Sequence, residues 1–80
     1  MVNKCLVKAI IDTAIFLEFS GKEILDLDVS VEFMEQLAGE LQCMSEHEKS
    51  EVVACIRNLA GSYGDRADFV SGLPEKLGLD

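Results

Sequence analysis

Apolar residues recur every three or four positions in three windows of this chain, and that spacing of about 100° per residue specifies amphipathic helices. The sharpest window runs from a cap at Asp28 or Ser30 to about Met44. Val31, Phe33, Met34, Leu37, Ala38, Leu41 and Met44 fill one arc there. Asp28, Glu32, Glu35, Gln36, Gly39, Glu40, Gln42 and Cys43 fill the other. One face is expected in the core and the opposite, acidic face in water.

The next window carries the strongest local signal. Ser45-Glu46-His47-Glu48 has the spacing of a capping box, in which the serine hydroxyl and the glutamate carboxylate each satisfy a backbone donor at a helix start. A helix is therefore predicted from Glu46 to Ala60 or Ser62, burying Val52, Val53, Ile56, Leu59, Ala60 and Tyr63 and ending at Gly61 and Gly64. The short separation from the preceding helix predicts an antiparallel hairpin of the two.

The first window, Asn3 to Phe19, stops at Ser20-Gly21. Leu6, Ala9, Ile10, Ala14, Phe16 and Leu17 form its core arc, while Ile11, Ile15 and Phe19 recur at a spacing of four on the other side. A helix apolar nearly all round is either the centre of its bundle or is covered by a second chain. Ile11, Ile15 and Phe19 are thus the candidate homodimer face. Lys22 to Leu27 reads as a turn or a short helical piece. A short C-terminal helix over Arg66 to Ser71, capped by Asp65, and one last turn from Pro74 to Gly78 complete the chain. The expected fold is all-α, a small bundle of three long helices plus a short C-terminal helix, in a single domain over residues 1–80. A chain of 80 residues hides only about 60% of its unfolded surface, so a partner adding stability is in keeping with its size.

Charge narrows the function. The net charge is −8, and ten acids against two bases lie between Glu18 and Glu51, with five of each in the remainder. Such a field repels nucleic-acid phosphates and steers basic protein surfaces toward it. A helix-turn-helix would present Glu46, Glu48 and Glu51 to DNA, so nucleic-acid binding is not expected; occupation of another protein's nucleic-acid groove remains compatible. The three cysteines have no paired short spacing, and the opening Met-Val-Asn-Lys-Cys-Leu lacks the pattern of a secretory leader. No apolar run approaches the roughly 20 residues needed to cross a bilayer, so a cytoplasmic protein with reduced thiols is expected and no membrane partner.

Sites of chemistry are sparse. Asp26-Leu27-Asp28-Val29-Ser30 begins like a calcium loop, but Val31 and Leu37 stand where its glycine and final glutamate belong. Cys43, His47 and Cys55 offer no fourth ligand for zinc. The single histidine has no hydroxyl or thiol at a spacing that implies a nucleophile pair, and no phosphate-cradling glycine loop occurs. No metal, no cofactor and no enzymatic activity are expected.

With its acids gathered around one helical hairpin, the chain resembles small bacterial immunity proteins of toxin–immunity pairs, and in architecture the colicin-nuclease immunity family, acidic four-helix proteins that block a basic nuclease through helix two and a short helix three. The chain lacks that family's paired tyrosines in the short helix, so the resemblance transfers no residue roles. It implies an inhibitory module that occludes a basic toxin or effector enzyme. The contact residues expected from the helical phase are Glu32, Glu35, Gln36, Gly39 and Glu40, with Glu46 and His47 at the following turn. The alternative is a homodimeric structural or regulatory module, or an adaptor, with no inhibitory role and with acidity that only solubilises.

Overall fold

The computed structural model describes residues 2–21 and 23–80, so Lys22 lies outside the described residues. They form α1 (Lys4–Phe19), α2 (Leu27–Leu41), α3 (Glu46–Leu59), a 3-10 segment (Ala60–Arg66) and α4 (Ala67–Lys76), with no strand among them. The fold is all-α.

The starts of α1, α2 and α3 each have a chemical cause. Asn3 accepts from the Cys5 and Leu6 amides at 2.8 and 3.2 Å and fixes the start of α1. Asp26 accepts from the Asp28 amide at 2.8 Å, so α2 begins earlier than a cap at Asp28 or Ser30 would allow and takes in Leu27. At α3 both halves of the capping box are made, Glu48 N–H to the Ser45 hydroxyl at 3.1 Å and Ser45 N–H to the Glu48 carboxylate at 3.0 Å. The amide that Ser45 donates, and then its hydroxyl, hold the Glu48 carboxyl below its ordinary pKa.

The short C-terminal helix is not separate. Helical structure continues from Glu46 to Lys76 as a joined run of 31 residues, through the 3-10 segment. Gly61 does not stop it. Gly64, with φ 54° and ψ −118°, is the one non-helical residue inside the 3-10 segment and turns the chain so that α4 packs back on α3. Pro74, expected to open a last turn, instead lies inside α4 and is fully buried. The run ends in a Schellman arrangement: Leu79 N–H bonds to Pro74 C=O at 2.8 Å, Gly78 N–H bonds to Glu75 C=O at 3.1 Å, and Gly78 adopts φ 70°.

The core is shared by α1, α3 and α4. Val7, Ile11 and Ala14 of α1 meet Val52, Val53, Ile56 and Leu59 of α3, with Val70, Leu73, Leu77 and Leu79 closing the far side. Ile11, Ile56 and Leu73 are 0% exposed. Of the candidate dimer face, Ile11 is core and not on the surface, Ile15 packs partly buried against the core, and Phe19, 44% exposed, meets Phe69 edge-on at 5.0 Å beneath the Arg66 guanidinium. An all-round apolar α1 is explained by its central position, since it packs on both α2 and α3.

No residue of α2 is fully buried. Its main contact is with α1 rather than α3, so the expected α2–α3 hairpin does not form as a packed pair. Met34, Leu37, Ala38, Leu41 and Met44 lie partly buried against the core, but Val31 and Phe33, also expected inside, are 51% and 52% exposed. The α2 arc is wider than the single flank that α1 offers it.

Candidate partner-binding surface

Two side-chain ties and a half-covered apolar seam position α2. Near its start the Ser30 hydroxyl donates to Leu17 C=O at 2.6 Å; at its end the Gln42 amide donates to Leu77 C=O and Gly78 C=O at 2.8 and 2.7 Å. Gln42 therefore leaves the acidic face on which its phase placed it and clasps the C-terminal turn.

The outer face of α2 is as acidic as the helical phase predicts. Glu32, Glu35, Gln36, Gly39 and Glu40 are all exposed, and among the described residues no ion pair involves Glu32, Glu35 or Glu40. Two of the five bases outside the central stretch are ion-paired with other acids, Lys76 with Glu18 at 3.3 Å and Arg57 with Asp80. Gly39 has open space where a Cβ would project, so no neighbouring helix requires a glycine there.

Glu46 and His47 stand apart from this group. Glu46 pairs with Lys49 at 3.6 Å and lines a hollow shared with Arg57, Leu79 and Asp80. His47 lies 3.5 Å from Glu51 on its own helix, with a side chain 85% exposed. The expected contact residues thus divide into an exposed α2 set and two residues of α3, of which Glu46 lines a different hollow.

Beside the α2 acids lies a feature that the helical phase did not indicate. Phe16 of α1 and Phe33 of α2, 51% and 52% exposed, flank an open groove of about 480 Å³. Leu17, Leu25 and Leu37 form its apolar lining, and Thr13, Gln36 and Glu40 complete it. The surface is therefore an apolar furrow with carboxylates beside it, and not a uniformly charged face. A contiguous apolar patch bordered by polar groups is a common mark of a protein interaction site. The signal available in the sequence was the excess of large apolar residues in α1 and α2 over what so small a core can enclose.

Compared with protein-family models, curated proteins and solved structures, the chain matches none. Among the described residues no group of three or more His, Cys, Asp or Glu side chains could hold a metal ion, and Cys43, His47 and Cys55 do not come together as one. Cys5, Cys43 and Cys55 are free thiols. No helix among the described residues is long and apolar enough to cross a membrane.

Proposed function

We propose that the protein is a non-enzymatic inhibitory binding module of the immunity type, acting in the cytoplasm and neutralising a bacterial toxin or effector enzyme by covering a basic surface around its active site. The observation that carries this reading is the exposed set Glu32, Glu35 and Glu40, which has no ion pair among the described residues and of which Glu40 lines the apolar furrow. Carboxylates already paired within the chain would have to break those pairs before meeting a partner; among the described residues these have none to break. Their charge raises the rate of encounter with a cationic protein, while burial of the adjacent aromatics slows dissociation. Glu46 and His47 contribute at most at the edge, because Glu46 already shares Lys49.

The test is capture from an extract of the native host with the full chain, the product of the neighbouring gene being examined first. A cationic protein whose enzymatic activity the chain suppresses is expected. The triple variant Glu32→Lys, Glu35→Lys, Glu40→Lys is expected to weaken that complex by about a hundredfold or more, since like charges then face each other, while helical content stays unchanged. Equal binding and equal inhibition by the variant at low salt would remove the reading.

A further inference from the structure

The groove specifies more about the partner than its charge. We propose that the furrow between α1 and α2 receives one amphipathic helix of the cationic partner, whose apolar side chains seat between Phe16 and Phe33 and whose basic side chains lie against Glu32 and Glu40. The inference rests on the binding function proposed above and deepens it by naming the element recognised.

Geometry favours a helix as occupant. Two neighbouring helices leave a furrow between them, and an entering helix presents apolar residues at spacings of three, four and seven to such a furrow. A β-strand would need a sheet edge to pair with, and none exists among the described residues. Charge selects the sign of its flanks. Glu40 lines the groove and Glu32 lies one turn from Gln36, another lining residue, whereas no lysine or arginine among the described residues lines it. A second copy of this chain is disfavoured by the same charges, because a two-fold contact through this face brings two acidic surfaces together. An anionic lipid surface is disfavoured for the same reason.

The two phenylalanines can be covered without disturbing the core. Phe33 and Phe16 already stand half in solvent, so an apolar side chain entering between them removes area that folding leaves exposed. No core residue has to move to admit it. Covering a phenylalanine ring in this way is worth roughly tenfold to a hundredfold in affinity.

The experiment uses the full chain and three synthetic peptides read by fluorescence anisotropy: one with leucines at helical spacing and lysines on the flanking positions, one with the same residues scrambled, and one patterned alike with glutamates for the lysines. The patterned basic peptide is expected to bind at low salt, the scrambled one at least about tenfold more weakly and the acidic one not at all. Phe33→Ser, at a position where folding depends little on the ring, is expected to weaken the patterned peptide by about tenfold or more. Glu32→Lys with Glu40→Lys is expected to weaken it further than Asp65→Lys with Glu75→Lys, which changes net charge equally but elsewhere. Scrambled and patterned peptides binding alike, no effect of Phe33→Ser, or no binding of the patterned peptide would each overturn the groove proposal. A cationic partner still inhibited by the chain and released by the triple lysine variant would then leave the binding function standing. Groove binding without inhibition of any captured enzyme would instead remove the function and keep the groove.

Discussion

The two halves of this molecule use the same residue types to opposite ends. In α1, α3 and α4 one set of valines, leucines and isoleucines is enclosed as the core, and Ile11, Ile56 and Leu73 have no exposed surface. In α2 the same kinds of side chain lie along one flank of α1 and none is fully covered. The difference follows from the number of neighbours: α1 lies between α2 and α3, whereas α2 has one principal neighbour and a solvent side. Stability is thus concentrated in the shared core while apolar area stays accessible along α2 and the flank of α1 beside it, which is the division the proposed binding function needs.

Cavity formation tests that division most severely. Ile56→Ala is expected to destabilise the chain by about 2–5 kcal/mol, a large part of the total for a domain of this size. Phe33→Ser, with a larger side chain removed, is expected to cost about 1 kcal/mol or less because half of it is already in water. Urea midpoints measure both. Comparable losses at the two positions would erase the contrast between the core and α2.

Glycines sharpen the comparison with effects of opposite sign. Gly78→Ala is expected to cost about 1–2 kcal/mol from its φ of 70° alone, and its Cβ would lie 2.8 Å from the Gln42 amide nitrogen, pushing α2's C-terminal tie away. Gly39→Ala, in helical backbone with open space around it, is expected to stabilise by about 0.5–1 kcal/mol. If Gly39→Ala instead unfolded the chain, α2 would be more closely packed than its exposure indicates. The capping box gives an intermediate effect, with Ser45→Ala expected to cost about 1 kcal/mol. Part of the Glu48 contribution is also lost in acid: its carboxyl titrates lower folded than unfolded, so that stability is present above its ordinary pKa and disappears as pH falls through the depressed one.

These contrasts also explain what the residues revealed in advance. Helix positions were legible because local chemistry sets them, as at Asn3 and in the Ser45–Glu48 box. The start of α2 was misplaced because Asp26, Asp28 and Ser30 are all competent caps, and only the fold shows Ser30 donating to Leu17 C=O. Partners of whole faces were less legible. Ile11 reads as the second face of an amphipathic helix and turns out to be core, while Phe33 reads as core and is half exposed, since periodicity reports which residues share a face but not how many helices cover it. The acidic row of α2 was legible because it needs nothing beyond its own helix. The groove was not, because it requires knowing that α1 is its other wall.

The smallest expected effect reports on whether the two regions are coupled. Tyr63 is the only tyrosine, and no tryptophan is present, so its phenolate absorbance is read without interference. Burial first, then the 2.8 Å hydrogen bond it donates to Asp12 and that carboxylate's charge, push its pKa up to about 12. A phenol that holds its proton more tightly when folded stabilises the fold fully below pH 10.0, its ordinary value, and that contribution is lost as pH rises toward about 12. Asp12→Asn is expected to lower the midpoint without returning it to 10.0, because burial remains. Gln42→Ala removes a tie of α2 and leaves the Tyr63–Asp12 contact between the 3-10 segment and α1 untouched. Amide exchange in α2 is then expected to quicken while the Tyr63 midpoint stays near 12, as separate opening of α2 requires. A midpoint that fell together with α2 protection would show that the acidic helix and the core open as one unit, and the apolar seam between α1 and α2 would have to be credited with holding the core as well as presenting the groove.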